Sequence, residues 1–178
     1  NTLGAAQALA SQTLRTSTAA ERQSFISRLH VLSSAHELLV TKNYSQALIL
    51  HVMERSLKPF LTDNDARIQY QGPNVLLDWS KATQLALVIH ELAINATKFG
   101  ALSIDGGKID IQWDFLPGYS IPSRLKLVWR ESGGPKVAAP AKKGFCSQFI
   151  EFAMDANRDE ARLAFDPAGV VCNLEISV

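Results

Sequence analysis

The stretch Trp79-Ser80-Lys81-Ala82-Thr83-Gln84-Leu85-Ala86-Leu87-Val88-Ile89-His90-Glu91-Leu92-Ala93-Ile94-Asn95-Ala96-Thr97-Lys98-Phe99 reads as one long helix. At about 100° per residue, Leu85, Val88, Ile89, Leu92, Ala96 and Phe99 form one apolar sector, which predicts that this face lies on a sheet. Glu91, Asn95 and Lys98 fall at i, i+4 and i+7 on an adjacent strip. A carboxylate, an amide and an ammonium in line beside a buried sector make a polar edge at the rim of the core. A solvated flank can carry the same ladder through ordinary i,i+4 pairing, so the strip gains meaning only from its neighbours. By the same angular count His90 points away from the strip and reads as a buttress.

Outward from this helix the period changes. Ile109, Ile111, Trp113 and Phe115 alternate with Lys108, Asp110, Gln112 and Asp114, the clearest half-buried strand in the chain. After Pro117-Gly118, Leu125, Leu127 and Trp129 alternate in a second strand. Strands over 162–165 and 170–178 flank a turn at Asp166-Pro167-Ala168-Gly169. Upstream, Ile68 and Tyr70 belong to a strand closed by Gly72-Pro73. A helix is expected over about 145–157, and another over about 44–57 that ends near Pro59. Within residues 1–40, Leu3, Ala6, Ala10 and Leu14 recur at helical spacing, as do Phe25, Leu29, Leu32, His36 and Leu39. Between them Thr18-Ala19-Ala20-Glu21 is a capping-box pattern. Two such helices form a hairpin that must bury its seam against a partner. The expected fold is therefore α+β: a helical region over 1–58, then a two-layer α/β sandwich over 59–178 with a mixed, mostly antiparallel sheet.

Bulk properties exclude several classes. With 178 residues and 47% hydrophobic content the chain can bury a real core. A net charge of +1 gives no reason to expect nucleic acid or an anionic membrane. No run approaches the length of a membrane span. Cys146 and Cys172 show neither CxxC nor metal spacing, which fits a reduced, cytoplasmic setting. The opening Asn1-Thr2-Leu3-Gly4 lacks Met and any signal-peptide pattern, as expected of a trimmed or cropped chain.

Two further segments join the Glu91/Asn95/Lys98 strip. In Trp129-Arg130-Glu131-Ser132-Gly133-Gly134-Pro135 a strand ends in an acid followed by two glycines. Glycines let backbone approach a planar ligand closely, and the acid can accept the exocyclic amine of a base. Gly144-Phe145-Cys146-Ser147 opens a helix, and a helix start offers free N–H groups and a favourable dipole to anions.

Together the three segments resemble the N, G1 and G2 boxes of histidine-kinase catalytic domains, and specifically the HWE family. Residues 90–103, His90-Glu91-Leu92 through Asn95-Ala96-Thr97-Lys98-Phe99-Gly100-Ala101-Leu102-Ser103, resemble that family's HELxxNAxKYGALS box. His90, Trp129 and Glu131 supply the letters for which the group is named. The likeness runs through Asp166-Pro167-Ala168-Gly169, and at the front Asn1-Thr2-Leu3, Arg28-Leu29 and His36-Glu37-Leu38-Leu39 resemble the two dimerisation helices.

The resemblance implies a Bergerat-type ATP-binding sandwich that phosphorylates histidine, with ATP and Mg²⁺ as cofactors. It implies that Asn95 ligates magnesium through its amide oxygen, with Glu91 orienting the attacking group or the metal's waters and Lys98 pairing with phosphate. Phe99 packs on adenine where the family usually has Tyr, and Glu131 accepts the adenine amine beside a wall shaped by Gly133 and Gly134. Gly144, Phe145 and Ser147 hold phosphates, and 136–143, with Lys142 and Lys143, forms a short lid. Its implied partners are a response-regulator receiver domain and an upstream sensory domain of PAS or light-sensing type. The hairpin seam closes a dimer or folds on its own catalytic domain; composition does not choose.

Two departures qualify the expectation. The family's phosphoacceptor histidine falls a few residues before Asn1, and His30, His36 and His51 are not in its place, so this stretch is not expected to autophosphorylate at that position. Cys146 stands where the family typically has glycine, which costs about 1–2 kcal/mol if the backbone there is left-handed. The rival readings are a non-catalytic phosphotransfer or scaffold module with a vestigial site, and a different ATPase of the same superfold.

Overall fold

A computed structural model describes residues 18, 25, 26, 29, 46–61, 66–118, 123–139, 147, 150 and 159–178. The expected hairpin within residues 1–40 lies outside them, save that Phe25, Ile26 and Leu29 are helical. The elements are β1 (Gln46–Leu48), α1 (Ile49–Leu57), a 3-10 turn (Lys58–Phe60), β2 (Ile68–Gln71), β3 (Leu76–Asp78) and α2 (Trp79–Lys98). A second 3-10 turn (Ala101–Ser103) leads to β4 (Lys108–Phe115), β5 (Arg124–Ser132), β6 (Glu160–Asp166) and β7 (Gly169–Ser177).

The main sheet has the order β2-β4-β5-β7-β6. Only β2 and β4 run parallel, with Ile68 opposite Ile109; the other pairs are antiparallel. Alternation sets its two faces: Ile109, Ile111 and Trp113 of β4 and Leu125, Leu127 and Trp129 of β5 are buried. From β7, Cys172, Leu174 and Ile176 join them, while Lys108, Gln112, Lys126 and Arg130 are exposed. A sheet with one wet face needs a single covering layer. The helices provide it: Leu85, Val88, Ile89, Leu92 and Ala96 of α2 and Ile49, Val52, Met53 and Leu57 of α1 share one core with the strands. The fold is the α+β sandwich with a mixed, mostly antiparallel sheet.

Three expectations change. The helix over about 44–57 starts only at Ile49, because Gln46–Leu48 pair with Leu76–Asp78 in a separate two-stranded sheet, Gln46 opposite Asp78. Strand β3 is itself new. Phe99 leaves the buried sector: it is the C-cap of α2 with φ −136° and lies 74% exposed.

Helix α2 is held at both ends. Asp78 caps its start, accepting the Lys81 backbone N–H at 2.9 Å. The Lys81 ammonium pairs with the buried carboxylate of Asp159 and donates to Ser177 Oγ at 3.2 Å. Asp159 also accepts the Ser177 N–H at 2.9 Å and its hydroxyl at 2.7 Å, so α2 is tied to the end of β7. We expect Lys81→Met to lower the unfolding free energy by about 2–3 kcal/mol, since it leaves a buried carboxylate with neutral donors alone. Urea denaturation reads this directly, and an unchanged midpoint would make the pair energetically idle.

Candidate functional site

The other end of α2 carries the predicted strip. A helix of 20 residues is about 30 Å long, similar to the nine-residue β5. Pinned near Ser177 at its start, α2 therefore delivers its last turns toward the Glu131 end of the sheet. Glu91 is buried, 3% exposed, deeper than the rim position its spacing suggests. Asn95 is half-buried and Lys98 exposed in the final turn. The strip thus grades from a buried carboxylate through an amide at the surface to an exposed ammonium, whose charge suits the negative end of the helix dipole. His90 is buried and its ring meets that of Phe60 at 5.2 Å between centroids, the buttress expected of it.

The helix then stops abruptly. Phe99 and Gly100 donate their N–H groups back to the Asn95 carbonyl at 2.8 and 3.1 Å. The chain turns at Gly100 into the 3-10 turn, and there it meets Glu131. One oxygen of that carboxylate, Oε2, accepts the Ala101 backbone N–H at 2.8 Å; the other, Oε1, accepts the Trp129 indole N–H at 3.2 Å. Glu131 is 4% exposed, and burial pushes its carboxyl pKa up while the two donors pull it back. Sequence spacing suggested an acid at a strand end but not that it clasps the end of α2 thirty residues away in the chain.

Glycines make the junction possible. A Cβ on Gly100 would lie 2.1 Å from Glu131 Oε2, and one on Gly134 would lie 2.7 Å from Ala101 Cα. Gly133 has φ +68° and sits against the Gly106 carbonyl. The predicted pair Gly133 and Gly134 therefore does bring backbone to the foot of α2. Ser147 is helical and half-buried, whereas Gly144, Phe145 and Cys146 lie outside the described residues, as do Lys142 and Lys143. Reading by motif included Ala101 but gave it no role, and missed Gly107; a Cβ on Gly107 would lie 1.8 Å from the Ala101 carbonyl oxygen. The Gly106-Gly107 pair was the available signal.

The donor set fits a hard cation shared with phosphate. Among the described residues no group of three or more His, Cys, Asp or Glu side chains converges into a cage. Asn95 offers one neutral oxygen ligand at the surface, the kind of partial coordination that magnesium completes with phosphate and water. No helix among the described residues is long and apolar enough to cross a membrane.

Residues 1–74 match the HWE histidine kinase family. A blue-light-activated histidine kinase of Brucella anthropi is 31% identical over 177 residues, covering 98% of this chain and 36% of that protein. The blue-light-activated histidine kinase of Brucella ovis is 36% identical over 152 residues, 84% of this chain and 31% of that protein. The chain thus spans about a third of the length of the curated relatives it matches. Among solved structures, the Erythrobacter litoralis EL346 blue-light activated histidine kinase aligns over 98% of this chain and 56% of that chain. Its TM-score is 0.65 at 14% identity, a likeness of fold.

Proposed function

Since residues 1–74 match the HWE histidine kinase family, we propose that this chain is the core of a cytoplasmic sensor histidine kinase. In this reading it binds Mg-ATP and transfers the γ-phosphoryl group to a histidine imidazole, from which an aspartate of a response-regulator receiver domain takes it. The observation that carries the reading is that the chain leaving α2, directly after the turns that bear Glu91, Asn95 and Lys98, meets the Glu131 carboxylate at Ala101 and the Gly134 backbone beside it.

The nucleotide supplies the activated phosphoryl group, and magnesium spreads positive charge over its oxygens. The work of the protein is positioning and charge. Asn95 holds the ion through its amide oxygen. Lys98, exposed on a long stem, reaches phosphate as a point charge. Glu91, one turn back, orients the incoming imidazole or the ion's waters. Glu131 keeps lone pairs beyond the two it uses internally and receives the adenine amine with them, while Gly133 and Gly134 give the flat wall and Phe99 covers the ring. Gly144, Phe145 and Ser147 are assigned to the phosphates, with 136–143 as lid.

By sequence pattern, residues 1–58 are the dimerisation and phosphotransfer region and 59–178 the ATP-binding domain. Strand β1 and helix α1 nevertheless pack with the sandwich, β1 pairing with β3 and α1 sharing its core, so in this scheme the ATP-binding domain takes in residues from Gln46. The similarity to blue-light-activated kinases favours a light-sensing domain upstream. Mg-ATP is expected to raise the melting temperature by mass action: about 2.7 kcal/mol at a hundredfold excess over Kd, or roughly 5–11 °C for a chain of this size. Chelating the magnesium should abolish most of the shift. No shift at millimolar Mg-ATP would overturn the reading.

A further inference from the structure

The Trp129–Glu131 pair does something that the strip on α2 does not require. The two residues alternate on β5 and so face the same side; Trp129 is wholly buried and Glu131 nearly so. A glutamate side chain has three rotatable bonds, and one hydrogen bond leaves its carboxylate free to turn. Here the two oxygens have separate donors at right positions to stop that rotation, Trp129 Nε1 at 3.2 Å and Ala101 N at 2.8 Å. Gly100 leaves the space into which the carboxylate fits, with no room for a Cβ beside Oε2.

We infer that Trp129 is a positioning residue, whose indole N–H, paired with the Ala101 N–H, fixes the Glu131 carboxylate in the orientation that receives an adenine amine. The inference rests on the kinase reading and deepens it. Among the described residues, those placed against Glu131 are uncharged: Ile109 opposite it on β4, Gly100 at the end of α2, Ala101 in the turn, and Gly169 of β7 against its backbone. Among the described residues no charged neighbour holds the carboxyl ionised; burial opposes ionisation and the two donors favour it. A protonated or rotated acid would present a hydrogen where the ligand also presents one. The indole N–H therefore protects both the geometry and the acceptor-only state of the group.

The test is Trp129→Phe, Glu131→Gln and the double variant, measured for Mg-ATP affinity, with ¹³C-carboxyl NMR titration of Glu131 identified by its absence in Glu131→Gln. Loss of one hydrogen bond to a charged group predicts a drop in affinity of about tenfold or more for Trp129→Phe, and a Glu131 titration moved to higher pH. Because Trp129 acts through Glu131, the double variant should bind no worse than Glu131→Gln alone. Should the smaller Phe leave the core too loose to fold, β-(3-benzothienyl)alanine at position 129 keeps the shape and replaces only the N–H. Wild-type affinity and titration in the 129 variant, or losses that add in the double variant, would overturn the inference while leaving the kinase reading standing. Wild-type protein that does not bind Mg-ATP would overturn both.

Discussion

Asn95→Ala is expected to remove magnesium-dependent nucleotide binding while leaving the nucleotide-free protein folded. Even partners one shell removed from a metal cost about 10–100-fold in affinity when mutated, so loss of the proposed ligand itself should cost about a hundredfold or more. The fold should not suffer. Asn95 is half-buried near the end of α2, outside the apolar sector that packs on the sheet. Alanine is also the better helix former, by a few tenths of a kcal/mol up to about 0.7 kcal/mol. Titration calorimetry with Mg-ATP, alongside thermal melting without nucleotide, separates the two effects. Undiminished Mg-ATP affinity would take Asn95 out of the site.

A large effect on stability is expected at Gly169, where β7 begins. A Cβ there would lie 2.0 Å from the Glu131 carbonyl oxygen, a backbone atom fixed within the sheet, and the residue has φ +155°. Gly169→Ala must therefore push β7 off β5 or break the tight return from Asp166. A cost of about 3–4 kcal/mol is expected, in the range where overpacking and backbone strain combine. That lowers the melting temperature by roughly 6–16 °C. Gly118 is the control: its φ is +132° but a Cβ would meet nothing within 4 Å. Gly118→Ala should cost only the strain, about 1–2 kcal/mol. Equal losses at the two positions would show that the close approach to Glu131 is relaxed rather than rigid.

Much of this architecture is legible in the chain because the signals are local. The alternation from Lys108 to Phe115 needs no knowledge of what it faces, and the bounds read from it match β4. The apolar sector of α2 works the same way up to Ala96. It fails at Phe99 because angular counting assumes helical dihedrals, and the backbone has left them there. Strands β1 and β3 carry three residues each and exist through one another, so no window around either could announce them. The burial of Glu91 is likewise invisible to a helical wheel, which counts angle but not what packs alongside. Of the site, the residue types were readable and the clasp was not. That Glu131 would reach Ala101 depends on the whole sheet delivering β5 to the foot of α2.

The strand order has a consequence for biosynthesis. Strand β5, which bears Trp129 and Glu131, has β4 on one side and β7 on the other. As the polypeptide leaves the ribosome, β4 and β5 can close as a hairpin at once, but the outer edge of β5 stays open until residues 133–168 and then β7 have emerged. During that interval a long, apolar strand edge is exposed, the kind of template that neighbouring nascent chains can join. Translation speed through 133–168, or a chaperone that shields β5, should therefore govern how much protein reaches the soluble state.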